Sequence, residues 1–324
     1  EICRMATQEL PIIDISALFG DDDAQIAETA QEMGRVCRDI GFMYVTGHGL
    51  SQADIDAVFQ ASAHFFALPG AEKSKVLFSP TTGNRGYVPM KGEALDPTKP
   101  QDLKEAFNIG LELAPDDPEL LAGQKYRALN LWPELPGFRD TMLDYFERVS
   151  TIGRAMHKGF SYDLGVAADY FDDKLDRPLA TLRLLHYPPS PGTLEDGQLG
   201  AGEHTDYGNI TLLMTDGVGG LQVRARSGGW IDAPHVPGAF VVNIGDCLMR
   251  WTNDVYVSTP HRVVSPKGAE RYSVAFFLDP NPDAIIETLP TCISDERPTR
   301  YQPIRGDDYL SSKLDPTYKA SGLA

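Results

Sequence analysis

Apolar residues recur at helical spacing through the first half of the chain and alternate in short runs through the second. From Asp22 to Ile40 an acidic start precedes Ile26, Met33, Val36 and Cys37 near a 3.6-residue period, and Gly41 ends the stretch. Ser51 and Asp54 form a capping box for a helix running to about Leu68, where Pro69 stops it. The longest helical pattern runs from Pro136 to Asp163 through Met142, Tyr145, Phe146, Val149, Ile152, Met156 and Phe160, with Gly165 just beyond. A shorter helix is expected over Ala168–Lys174. Strands are expected at residues 10–14 and 42–46, a Gly/Pro-rich loop over 79–100, and a brief element over Asp102–Ile109. The period changes near residue 180. Short apolar runs then alternate with turns at 182–187, 210–215, 220–225, 229–232, 239–244, 261–265 and 271–279. A helical half followed by such strands predicts an α+β chain with a mainly β core, an antiparallel double sheet.

Candidate chemistry sits in the β half. His204 and Asp206, one strand period apart, point the same way if they stand at a strand end. With 7 His and 46 acidic residues in 324, a His-x-acid triplet arises about once by chance. His261 opens a later strand and adds a second imidazole. Two His and one carboxylate on one face of an octahedron leave three positions open, unlike a closed structural zinc site. With this triad the double sheet is expected to be a double-stranded β-helix, or jelly roll, closed around a cavity. Arg271 and Ser273 share one face of the last long strand, and a guanidinium beside a hydroxyl is a carboxylate receptor. A buried Arg with no protein carboxylate near it awaits a ligand carboxylate.

Composition narrows the function classes. The formal net charge of −17 opposes binding to a phosphate backbone. No run of 18 apolar residues is present, so no membrane span is expected. Cys3, Cys37, Cys247 and Cys292 lack a CxxC spacing and read as free thiols of a reducing, cytoplasmic compartment. The opening Glu1-Ile2-Cys3-Arg4-Met5 has no apolar signal-peptide core.

The order His204-x-Asp206, His261, Arg271-x-Ser273 resembles the Fe(II)/2-oxoglutarate-dependent oxygenases, and the branch around isopenicillin N synthase in particular. The resemblance covers nearly the whole chain. Leu10-Pro11-Ile12-Ile13-Asp14 is similar to the opening strand of that branch, and Gly41-Phe42-Met43-Tyr44-Val45-Thr46-Gly47-His48-Gly49 to its next landmark. Phe65-Phe66-Ala67-Leu68-Pro69, Glu72-Lys73, Gly86-Tyr87, Lys104-Glu105-Ala106-Phe107, His186-Tyr187-Pro188-Pro189, and Gly245-Asp246 through Trp251-Thr252-Asn253 follow in order.

The resemblance implies Fe(II) on His204, Asp206 and His261, and 2-oxoglutarate with its far carboxylate at Arg271 and Ser273. It implies a supporting Tyr187, with Arg183 one strand period further back. Plant members have Asn where this chain has Leu185, and Tyr where it has His186. Position in the family suggests Tyr207, Phe107, Phe277 and Asp279 as substrate contacts. The implied reaction is O2-dependent oxidation of a small molecule, a hydroxylation in the first instance, with release of succinate and CO2. A 2-oxoglutarate-independent oxidase of the same fold and a non-catalytic metal-binding sensor are the alternatives. Residues 1–180 are expected to form a helical region packed on the core and not independent of it. Residues 181–290 are then the jelly-roll core, and 291–324 a polar tail with a helix near Asp307–Lys313. A monomer or weak homodimer is expected. His48 and His64 read as structural, His157 and His235 have no metal-ligand partner at useful spacing, and Asn243 and Asp246, flanking a Gly turn, read as residues bonded to local backbone.

Overall fold

The computed structural model describes residues 9–79, 82–90, 92, 102–189, 199–264 and 268–320, with side chains to 315 in the last segment. Half of the 79–100 loop, the last residue of the 261–265 strand, Cys3 and the 321–324 tail lie outside them.

The large sheet has eight strands in the order β1 (Ile12–Asp14), β2 (Phe42–Thr46), β10 (Phe240–Ile244), β7 (Ile210–Thr215), β12 (Arg271–Leu278), β5 (Thr181–Tyr187), β4 (Glu105–Gly110) and β3 (Gly86–Val88). β1 and β2 pair in parallel; every other neighbour in this sheet is antiparallel. The small sheet is β6 (Ala201–His204), β11 (His261–Val263), β8 (Leu221–Arg224) and β9 (Trp230–Asp232). A two-stranded ribbon, β13 (Ile285–Ile286) with β14 (Ile304–Arg305), precedes the last helix. The two larger sheets enclose a cavity, which makes the core a jelly roll.

Four of the eight large-sheet strands come from the first half of the chain, two more than the pattern predicts. β3 lies inside the expected 79–100 loop, and β4 replaces the brief element at 102–109. Both are buried on two faces, so neither shows the alternation that marks a half-buried strand. β6 is likewise additional; its Ala201-Gly202 has little side chain to alternate.

Helices cover the outer face of the large sheet. Asp22 caps α1 (Asp23–Asp39), accepting from the amides of Ala24 and Gln25. The Ser51–Asp54 capping box starts α2 (Gln52–Phe66). A short α3 (Gly70–Lys73) follows, and α4 (Pro118–Leu121) is another single turn. α5 (Phe138–Leu164) begins two residues after Pro136, because Gly137 takes a left-handed conformation at its N-cap. Gly165 ends it with φ of 68°. Ala168–Lys174 is not an α-helix; only Asp172–Lys174 forms a turn of 3-10 helix.

Side-chain alternation sorts β12 onto two layers. Val274, Phe276 and Leu278 enter the core under the helices, where Phe276 meets Phe146 of α5 edge-on at 5.0 Å. Arg271, Ser273, Ala275 and Phe277 face the cavity. Two further helices complete the fold, the short α6 (Asp246–Trp251) and α7 (Gly306–Ala320). The tail helix is longer than the predicted 307–313, and Leu310 and Leu314 of α7 reach the cavity.

Candidate metal and carboxylate site

His204 ends β6 and His261 opens β11, and the two are directly paired across the small sheet. Their rings lie 4.3 Å apart. Asp206 is not on the strand with His204, as its spacing suggested. It sits in the turn after β6, where its own carbonyl accepts from the amide of Asp246 at 2.8 Å. That turn swings the carboxylate to both imidazoles: Asp206 Oδ1 is 3.7 Å from Nε2 of His204 and 3.7 Å from Nε2 of His261. All three donor atoms lie within 4.8 Å of one another.

Surrounding hydrogen bonds leave three lone pairs aimed at one point. Nδ1 of His204 donates to the carbonyl of Gly202 at 2.7 Å, and Nδ1 of His261 to that of Thr259 at 3.3 Å. A carbonyl only accepts, so in both rings Nδ1 carries a proton and Nε2 is the nitrogen that faces the carboxylate of Asp206. Asp206 Oδ2 accepts from Thr211 Oγ1 at 2.5 Å and Asn243 Nδ2 at 2.7 Å, which leaves Oδ1 for an ion. Burial, and then the second imidazole, push His204 down to about 3, so the ring is neutral at neutral pH. Burial opposes ionisation of Asp206, but the two imidazoles and the two hydrogen bonds outweigh it and hold the carboxyl below its usual value. Two imidazole nitrogens and one ionised carboxylate are a donor set suited to a divalent metal.

The carboxylate receptor stands on the opposite wall. Arg271 is 1% exposed. Its Nε donates to the Gly219 carbonyl at 2.7 Å and its Nη1 to Ser273 Oγ at 3.3 Å. The guanidinium lies 4.7 Å over the ring of Tyr187, its register partner on β5. Among the described residues no carboxylate pairs with it.

The structure places Tyr187, Arg183, Tyr207, Phe277 and Asp279 on the wall of the same cavity, about 190 Å³ in volume. Phe107 does not join them. It is fully buried on the helix side of the sheet, between Phe65 at 4.5 Å and Phe138 at 5.6 Å. Position along β4 alternates, and Phe107 points the wrong way. Burial, followed by the negative charge of Asp206, raises Asp279 to about 7.

Sequence reasoning missed several contributors. Asn243 serves Asp206 rather than nearby backbone. Its signal was a polar residue inside an apolar strand, Phe240–Ile244. Thr211 carries the same signal in β7. Lys104, paired to Asp102 at 2.6 Å, also lines the cavity, and Asp102 fixes β6 by accepting from the Gly202 amide at 3.0 Å. His186, which stands where plant members have Tyr, faces away and bonds Glu105 Oε1 at 2.8 Å. Glu105 also takes Lys73 at 2.8 Å and the Tyr87 hydroxyl at 2.5 Å, so four of the resembling segments meet at this buried carboxylate behind the wall. His48 and His235 are structural, bonded to Gly238 O and Thr215 Oγ1. His157 is buried and ties α5 to Asn209, just past the metal-site turn, at 3.1 Å.

Residues 10–135 match the N-terminal domain described as that of a non-haem dioxygenase in morphine synthesis, and residues 178–280 match the 2OG-Fe(II) oxygenase superfamily. The chain therefore belongs to the Fe(II)/2-oxoglutarate oxygenases, and is an oxidoreductase that uses Fe(II) and 2-oxoglutarate. A 2-oxoglutarate-Fe(II) type oxidoreductase, hxnY, of Emericella nidulans is 37% identical over 97% of this chain and 92% of that protein. A homoarginine-6-hydroxylase of Arabidopsis thaliana is 38% identical over 89% of this chain and 90% of that one. The crystal structure of Neurospora crassa T7H with alpha-KG and thymine superposes with a TM-score of 0.85 at 35% identity, covering 97% of this chain and 98% of the other. No helix among the described residues is long and apolar enough to cross a membrane.

Proposed function

We propose that His204, Asp206 and His261 hold the Fe(II), and that Arg271 and Ser273 receive the far carboxylate of 2-oxoglutarate. The observation that carries this reading is the buried guanidinium of Arg271, with no carboxylate paired to it among the described residues, across one cavity from a His-Asp-His cluster. Burying that charge is costly unless an anion arrives. When bound, iron and 2-oxoglutarate together supply the oxidising chemistry with O2, and 2-oxoglutarate leaves as succinate and CO2.

The chain's own residues bind, orient and exclude water. Thr211 and Asn243 fix the face of Asp206 that ligates. Tyr187 steadies Arg271 from beneath, and Arg183, opposite Ala275 on the same wall, adds a second cation toward the co-substrate. Tyr207, Phe277 and Asp279 are left to the substrate, with Leu310 and Leu314 of α7 closing over it. A small molecule fits this volume, and we take hydroxylation as its fate. The homoarginine and thymine in the names of the relatives are molecules of that scale. We place the chain in the isopenicillin N synthase-like branch on the strength of its ordered landmarks. The three buried thiols, Cys37, Cys247 and Cys292, support a cytoplasmic enzyme. We take it to be a monomer or weak homodimer whose residues 1–180 do not fold apart from the core, since β1 to β4 are strands of the large sheet.

Anaerobic titration of the Fe(II)-loaded protein with 2-oxoglutarate tests the reading. A visible charge-transfer band that saturates is the expected result. Iron binding with no band would give Arg271 and Ser273 to another carboxylate and favour the oxidase alternative.

A further inference from the structure

Asp279 is a cavity group that neither the metal site nor the carboxylate receptor uses. It follows β12 directly, at the far end of that strand from Arg271, roughly 25 Å of extended chain away. It therefore serves the substrate end of the cavity. Asp279 is 8% exposed, and among the described residues no donor hydrogen-bonds its carboxylate. The nearby donors are directed elsewhere: Lys313 Nζ donates to Asp246 at 2.7 Å, and the Tyr309 hydroxyl to the Tyr207 carbonyl at 3.1 Å. Gly208 makes the room, since a Cβ there would stand 2.1 Å from Asp279 Oδ1.

A buried carboxylate without a donor is costly, and folds retain one where a ligand completes it. The neighbouring wall is apolar, from Tyr207, Phe277, Leu310 and Leu314. Asn84, Lys104 and Arg183 also line the cavity, but among its described lining residues Asp279 is the one carboxylate besides the metal-site Asp206, and a few such placed polar groups fix a ligand's orientation in a pocket. Burial and Asp206 disfavour the ionised form of Asp279, and a hydrogen-bond donor from the ligand is what restores it, since an ionised carboxylate only accepts. We propose that Asp279 determines specificity by receiving a hydrogen-bond-donating nitrogen of the substrate, which is thus a small molecule carrying an amine, guanidine or lactam N–H beside an apolar body. This rests on the assignment of the cavity above.

The test uses the full chain with Mn(II) replacing Fe(II) and 2-oxoglutarate present, and reads thermal stabilisation and binding of matched probes. One pair is benzylamine and benzyltrimethylammonium, the other uracil and 1,3-dimethyluracil. The N–H member of at least one pair should bind ten-fold or more tightly than its blocked partner, and which pair discriminates tells a cationic donor from a neutral one. Asp279→Ala and Asp279→Leu should each abolish the discrimination. Equal binding within both pairs on the wild-type protein overturns the proposal, as does discrimination that persists in a folded variant. The charge-transfer titration is independent of these probes, so a failed metal and 2-oxoglutarate assignment shows itself separately as a missing band.

Discussion

Asn243 on β10 donates to Asp206 Oδ2 at 2.7 Å and so decides which oxygen of the carboxylate remains for a metal. It reaches across the register pair Asn243–Thr211, and Thr211 supplies the other hydrogen bond to the same oxygen. Removing the amide should leave the fold intact while freeing the carboxylate to rotate. Outer hydrogen bonds of this kind are worth about 10–100-fold in metal affinity. Asn243→Ala is expected to weaken Fe(II) or Mn(II) binding by about that factor, read by metal titration alongside circular dichroism. Unchanged affinity would mean that Thr211 alone holds the carboxylate.

Replacing Arg271 by Ala should weaken 2-oxoglutarate binding by about 2–5 kcal/mol, the usual cost of losing a buried charged partner. Arg271→Lys should recover only part of it, because a point charge does not reproduce the guanidinium fork or its stacking on Tyr187. Isothermal titration with 2-oxoglutarate on Mn(II)-loaded protein measures both.

Phe107 and Phe277 make opposite predictions although they differ little in sequence context. Phe107→Ala removes a core ring from between Phe65 and Phe138 and should destabilise the fold by about 3–5 kcal/mol. Phe277→Ala opens the cavity wall and should cost less stability while raising KM for the substrate. Denaturant unfolding of both variants distinguishes the two positions.

His157 links folding to pH. Burial lowers its pKa from 6.5 to about 4 in the folded chain. Its contribution is complete above pH 6.5 and is lost as pH falls toward 4, because the unfolded chain takes up the proton first. At 1.36 kcal/mol per unit the loss reaches about 3 kcal/mol. His157→Gln should flatten the wild-type decline in unfolding free energy over that window, measured by urea unfolding at several pH values. A decline as steep in the variant would assign it to other groups.

The elements with a clear period were legible in the chain. α1, α2 and the body of α5 follow from apolar spacing and capping residues, and most strands after residue 180 from alternation. β3 and β4 were not, because burial on two faces erases the alternation that distinguishes a strand. Phe107 was misplaced for the same reason: without a known register, the face of a strand residue is undetermined, and a slip of one residue reverses it.

The sequence by itself determined the donor types and their order: two imidazoles, a carboxylate, a guanidinium and a hydroxyl on strands that must close around a cavity. Only the tertiary structure decided how they meet. The β6–β11 register sets His204 against His261, and a turn after β6 carries Asp206 to both. Long-range pairing between β10 and β7 brings Asn243 to the carboxylate, and packing of α7 on the cavity brings Leu310 and Leu314 from the end of the chain. Local propensity does not encode such contacts, because each depends on register and packing between segments distant in sequence.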